Sequence, residues 1–159
     1  PLGERNRAGL ILAGHRPNGV AALWLAAARF GLPGLSAPGG VYVCASVKEE
    51  FGIALLEAMA TGLMVVAPDG GGPATYVQDG VTGVLTQTWD AARLEAGVAT
   101  ALDAAAGPDA ERAEAAHDMV RTSFTIQSMA TALGPVYRGV AADEEDLLRA
   151  ASAMTPAAL

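Results

Sequence analysis

Two uninterrupted apolar runs, Val41-Tyr42-Val43-Cys44-Ala45 and Leu63-Met64-Val65-Val66-Ala67, restrict the folds open to this chain more than any other feature. Each has strand length, and neither alternates with polar residues, so both faces of each must be covered. Between them, residues 52–61 read as a helix, with Gly62 as its C-terminal cap and Pro68 closing the second run. Strand, helix and strand at this spacing form a parallel crossover unit.

The same alternation extends to either side. Residues 9–13 read as a short buried strand, followed by the loop 14–17. Asn18 is a good N-cap for a helix over 20–29 that ends near Gly31 and Pro33. After the second run come the Gly70-Gly71-Gly72-Pro73 loop, a short helix over 74–77, a turn at Asp79-Gly80 and a brief strand over 83–85. The remainder is helical: 90–106, 109–122, 125–138 and 144–151, with Asp90, Asp109 and Thr125 as caps and Gly107-Pro108 as a break. The last six residues are expected to fray. The expected fold is α/β, a Rossmann-like parallel sheet flanked by helices, with a helical C-terminal segment. The chain reads as a single domain over 1–159, with its core in 9–138 and a C-terminal helix and tail in 139–159. It opens on Pro1 without an initiator methionine, so an N-terminally truncated or processed chain is expected.

Composition removes several functions. The net charge is −7 and lysine and arginine nowhere cluster, which speaks against nucleic-acid or anionic-membrane binding. An acidic chain can still hold a phosphorylated ligand, because the amides at a helix start bind phosphate without side-chain cations. The single cysteine, Cys44, excludes an internal disulfide, and its apolar setting marks a buried, inert thiol. No acidic triplet of metal-binding type occurs and the two histidines are far apart, so no metal is expected. Neither a membrane span nor a signal peptide is apparent, and a cytoplasmic location is the default.

The chemistry concentrates in residues 46–60. This stretch leaves the carboxyl end of a buried parallel strand and enters a helix, the edge at which open α/β sheets bind ligands. Gly52 permits close backbone approach, and the amides near Ile53 and Ala54 form a phosphate site. Glu49 in the loop and Glu57 in the second helical turn both flank that helix start, where a carboxylate can accept hydrogen bonds from ligand hydroxyls.

Glu49 and Glu57, separated by seven residues within Glu49-Glu50-Phe51-Gly52-Ile53-Ala54-Leu55-Leu56-Glu57-Ala58-Met59-Ala60, resemble the paired-glutamate motif of the retaining glycosyltransferases of the GT-B fold. These are the group 1, sucrose-synthesis-like and mannosyltransferase-like enzymes. The segments 62–67, 71–74 and 79–85 resemble the family's next motif blocks, and Phe124 and Tyr137 its C-terminal helices. The resemblance covers about residues 9–138 and implies the donor-binding half of a GT-B fold. It further implies that Glu49, the catalytic-site glutamate, contacts hydroxyls of the transferred sugar. The amides of Phe51, Gly52 and Ile53, with Ala54 beside them, would meet sugar and diphosphate, and Glu57 would bind the ribose of a nucleotide-sugar donor. No cofactor and no metal is implied. The motif departs from the family at Glu50, where proline is frequent; the change alters loop stiffness rather than the ligand-facing carboxylates. The family's diphosphate-binding arginine and lysine precede the first strand, and Arg5 and Arg7 have no matching context. The N-terminal acceptor domain is likewise missing from this chain, so turnover by the chain alone is not expected.

Other residues carry two readings. His15 either lines the cleft or bonds its own loop; Lys48 is a surface lysine or a supporting phosphate contact. Gly71 and Gly72 form a flexible turn or admit a ligand closely. Glu50 reads as a solvated neighbour, His117 as structural, and Trp24 and Trp89 as core or interface anchors rather than stacking platforms. Three functions remain in view: a hexosyltransferase acting with retention, a truncated nucleotide-sugar-binding module without turnover, and a structural remnant. A phosphorylase of the same fold ranks lower, since nothing resembles a pyridoxal-phosphate lysine site.

Overall fold

A computed structural model describes residues 9–108 and 110–153. Its elements in chain order are α1 (Asn18–Phe30), β1 (Val41–Val43), α2 (Ile53–Ala60), β2 (Met64–Pro68), a 3₁₀ turn (Pro73–Thr75) and β3 (Gly83–Thr86). The helices α3 (Ala91–Ala106), α4 (Ala110–Ser123) and α5 (Ile126–Ala153) follow. The strands form one sheet in the order β1-β2-β3, and both pairings are parallel. Val41 to Val43 lie opposite Met64 to Val66, and Val65 to Pro68 opposite Gly83 to Thr86.

The continuous apolar character of β2 has a direct cause: all five of its residues are buried. Side chains alternate across a strand, so Val65 and Ala67 enter one core with Leu55, Met59 and Tyr76, while Met64 and Val66 enter another with Val84, Ala101 and Ala105. Helix α2 therefore covers one face and α3 the other. Eight residues are too few for a helix to persist alone, and α2 is held by burial of Leu55, Leu56, Ala58 and Met59. Helix α3 lies close to the sheet because its buried stripe is Gly97, Ala101 and Ala105, at successive i, i+4 positions. Asp90 caps it, accepting from the amides of Ala92 at 2.9 Å and Arg93 at 3.1 Å.

Several expectations change. Residues 9–13 form no strand, and Leu10, Ile11 and Leu12 stay solvent-exposed. Strand composition alone does not make a strand, which also needs a ladder of hydrogen bonds to a neighbour; among the described residues β1 pairs with β2 and leaves its other edge open. Asn18 is the first helical residue rather than the cap; Pro17 holds the cap position, and its carbonyl accepts from Val20 and Ala21. Pro68 is the last residue of β2, and the turn expected over 74–77 is a 3₁₀ turn one residue earlier. The two final helices are one, since Gly139 lowers helix propensity without stopping a helix and the alanines after it favour its continuation. Thr125 does cap it, in a reciprocal pair with Ser128 in which each side chain accepts from the other's amide at 3.0–3.1 Å. Neither tryptophan is in the core: Trp24 is 41% and Trp89 65% exposed. The expected cap Asp109 and the fraying over 154–159 lie outside the described residues. Among the described residues no helix is long and apolar enough to cross a membrane.

The sheet leaves no room at Gly83, where a β-carbon would lie 2.6 Å from Val65 Cγ2 and 2.9 Å from the Val65 carbonyl oxygen. Gly83→Ala is expected to destabilise the fold by about 1–3 kcal/mol, the usual cost of overpacking a core. Gly70→Ala adds its methyl to open space and should stay within about 0.5 kcal/mol of the parent. Urea midpoints of the two variants make the comparison.

Candidate functional site

After β1 the ladder continues for one more bond, from the Cys44 amide to the Val66 carbonyl at 2.9 Å, and the chain then leaves the sheet at its C-terminal edge. The loop that follows is held from outside. Thr88 Oγ1 donates to the Ser46 carbonyl at 2.5 Å, the Gly72 amide to the Glu49 carbonyl at 3.0 Å, and the Tyr76 hydroxyl to the Phe51 carbonyl at 2.6 Å. Glu49 and Gly71 also pair as an isolated parallel bridge. The approach is so close that a β-carbon on Gly71 would strike the Glu49 carbonyl and one on Gly72 the Glu50 carbonyl. Gly71 moreover has φ 80°, in the left-handed region. The glycine run thus packs backbone against backbone beneath the glutamate loop and is not a free turn.

Gly52 opens α2 at φ 82°, and a β-carbon there would lie 2.6 Å from the Tyr76 hydroxyl. The next amides, those of Ile53 and Ala54, head the helix and lack partners within it, so they present partial positive charge. The half-buried Glu49 carboxylate lies in front of them: its Oε1 accepts from the Phe51 amide at 3.4 Å, and its Oε2 is 3.8 Å from the Cys44 thiol, which donates. Burial pushes the Tyr76 hydroxyl up to about 12, and the neighbouring Glu49 charge adds to the effect. Burial also raises Tyr42, with further contributions from Cys44, Glu49 and Glu57. Tyr42 shares a cleft with Glu57. The Phe51 ring is braced from below, since Phe124 packs edge-on against both Phe51 (5.9 Å) and Tyr76 (5.3 Å).

Beside this loop is a cleft of about 360 Å³. Helix α2 contributes Ala54 and Glu57 to it, α1 contributes Ala21, Trp24 and Leu25, and β1 contributes Tyr42. His15 and Arg16 line it from the segment before α1. Glu57 is exposed, and among the described residues its carboxylate has no hydrogen-bond or ion-pair partner. Of the residues singled out in the sequence, His15, Ala54 and Glu57 share the cleft, whereas Glu49, Phe51, Gly52 and Ile53 form the adjoining loop and helix start. Lys48 pairs instead with Glu50 in solvent, at 2.7 Å. Cys44 is buried, as its setting implied, and His117 is exposed on α4. Sequence reasoning gave Tyr42, Tyr76 and Arg16 no role and read Trp24 as a core or interface anchor. Tyr42 reaches the site on β1 and Tyr76 through the loop after β2, whereas Arg16 and Trp24 come from the segment before α1 and from α1 itself. Among the described residues no three His, Cys, Asp or Glu side chains group to hold a metal.

Residues 37–120 match the family described as Glycosyl transferases group 1. The chain is 35% identical over 108 residues to the lipopolysaccharide core biosynthesis mannosyltransferase LpcC of Rhizobium leguminosarum bv. viciae, spanning 65% of this chain and 29% of that protein. It is 39% identical over 95 residues to a glycogen synthase of Mycobacterium tuberculosis, spanning 60% of this chain and 23% of the relative. The structure resembles sucrose-phosphate synthase from Thermosynechococcus elongatus with a TM-score of 0.58 at 30% identity, over 65% of this chain and 26% of that one. The chain thus spans less than a third of the length of these relatives. Its parallel sheet with a helix layer on each face is a Rossmann-like half of the GT-B fold.

The Tyr76 hydroxyl generates a pH-dependent prediction. Its pKa is raised in the folded state, so folding holds the proton more tightly, and the resulting stability is complete below pH ~10 and lost as pH rises toward about 12. Tyr76→Phe should lose less stability than the parent between about pH 10 and about pH 12. At neutral pH it should be less stable by about 1 kcal/mol, because the Phe51 carbonyl loses its donor. Urea titrations of both proteins across that range compare the slopes.

Proposed function

The chain belongs to the glycosyl transferases group 1 family, and from that premise we propose that it is the donor-binding half of an enzyme that moves a hexose from a nucleotide-diphosphate sugar to an acceptor with retention of configuration. One observation carries the reading: Glu49 and Glu57 stand on the two sides of the α2 start, at the C-terminal edge of a parallel sheet, with Glu57 in an open cleft. Such an edge is where α/β sheets take nucleotides.

In this reading the Glu57 carboxylate accepts hydrogen bonds from the ribose hydroxyls, and Glu49 accepts from a hydroxyl of the transferred sugar. As the bond from the anomeric carbon to the diphosphate breaks, charge grows on the departing phosphate oxygen. The amides of Gly52, Ile53 and Ala54 and the positive end of α2 stabilise that charge, which lowers the barrier because it is greatest in the transition state. The reading requires no metal ion and no cofactor, since the helix start supplies the electropositive group. Gly71 and Gly72 act through the loop they support, and Lys48 serves Glu50 rather than the donor. In this reading the acceptor is held by the other half of the GT-B fold.

Isothermal titration of the chain with uridine, guanosine and adenosine diphosphate sugars tests this. Glu57→Ala is expected to weaken the best donor about ten- to hundredfold, because a hydrogen bond to a charged group contributes roughly 1.5–3 kcal/mol. Glu50→Ala should leave binding within about twofold, since that side chain is exposed and paired only with Lys48. Equal damage from the two variants would mean that the motif is assigned in the wrong register.

A further inference from the structure

The cleft beside α2 holds more than the glutamate motif accounts for. Its α1 wall is formed by Ala21, Trp24 and Leu25, spaced i, i+3 and i+4, so the three side chains share one helical face. Its α2 wall is formed by Ala54 and Glu57, also three residues apart. Tyr42 of β1 belongs to the same surface, and Arg16 and His15 border it. One concave space therefore holds an indole, a phenol, a carboxylate and a guanidinium. Its volume of about 360 Å³ lies at the lower end of the roughly 300–1,000 Å³ typical of small-molecule sites.

We propose that Trp24 is the platform on which the nucleobase of the donor stacks, with Arg16 facing the diphosphate. The inference rests on the donor-binding reading above and assigns two residues that the glutamate motif does not include. Trp24 is 41% exposed and lines the cleft, and among the described residues its ring pairs with no other aromatic ring, which leaves it open to a planar ligand. Every base has a π-face, so stacking favours a nucleotide over a bare sugar phosphate without selecting one base over another. Glu57 on the opposite helix then meets the ribose that follows the base. Arg16 supplies positive charge to the diphosphate in a chain whose net charge is −7. This replaces the sequence reading of Trp24 as a core or interface anchor, of which its exposure removes the core.

The test uses uridine diphosphate, adenosine diphosphate and ribose 5-phosphate as probes in isothermal titration of the chain and its variants. Trp24→Ala is expected to weaken both nucleoside diphosphates about tenfold to a hundredfold and to spare ribose 5-phosphate, while Trp24→Phe retains most of the affinity. Glu57→Ala should weaken all three probes. In a Trp89→Phe background, where Trp24 is the remaining tryptophan, uridine diphosphate should quench the fluorescence and ribose 5-phosphate should not. If Trp24→Ala binds the diphosphates like the parent while Glu57→Ala is impaired, the stacking assignment is overturned and the donor-binding reading stands. Damage from Trp24→Ala with Glu57→Ala intact supports stacking and removes Glu57 from the ribose. A loss that Trp24→Ala shares equally across all three probes marks structural damage and overturns the assignment, as does an absence of nucleoside diphosphate binding, which overturns both readings.

Discussion

Burial of β2 on both faces is the constraint on which the rest of this structure depends. Its five residues are all sequestered, and they divide by strand alternation between a core under α2 and a core under α3. Pairing on both edges satisfies its backbone as well, with β1 on one side and β3 on the other. A strand so enclosed sets where its neighbours end. The C-terminal edge of the sheet, where β1 releases the glutamate loop and β2 releases the glycine run, is a consequence of that position.

At that edge the two loops build one object. The glutamate loop makes few bonds within itself; the Gly72 amide, the Tyr76 hydroxyl and Thr88 hold its carbonyls from three different places in the chain. Glycine is required at 71 and 72 because any side chain would push the two backbones apart. Phe124, from the junction of α4 and α5, completes the support by packing on both Phe51 and Tyr76. The start of α2 is thereby held in place by contacts from outside the loop, the arrangement that the proposed use of its dipole would need.

The charge distribution follows the same plan. A chain of net charge −7 places a half-buried carboxylate, Glu49, against the positive end of α2, and leaves Glu57 exposed in the cleft with Arg16 and His15 nearby. Glu50, next to Glu49 in the chain, turns to solvent and pairs with Lys48. Adjacent glutamates thus have different surroundings, decided by which way the loop backbone faces. Burial raises the pKa of both Tyr42 and Tyr76, and the Glu49 charge adds to each.

The sequence by itself determined the crossover and the motif. Two apolar runs of strand length must be covered on both faces, and a glutamate pair spaced across a Gly52 helix start is a local pattern that survives without knowledge of the fold. Capping was legible for the same reason at Asp90 and Thr125, whose partners are two and three residues away. What needed a partner distant in the chain was decided only by the tertiary structure. Residues 9–13 have strand composition but form no ladder with the sheet, and Leu10 to Leu12 stay exposed. Trp24 looks like a core residue in its alanine-rich helix, and only the packing of α1 beside β1 and α2 turns it into a cleft wall. Tyr76 carries no signal in its own segment, since its function in the fold is a hydrogen bond to a residue 25 positions earlier. Local patterns reflect interactions within a turn or two of chain; sheet edges, clefts and long-range hydrogen bonds exist only once the chain has closed on itself.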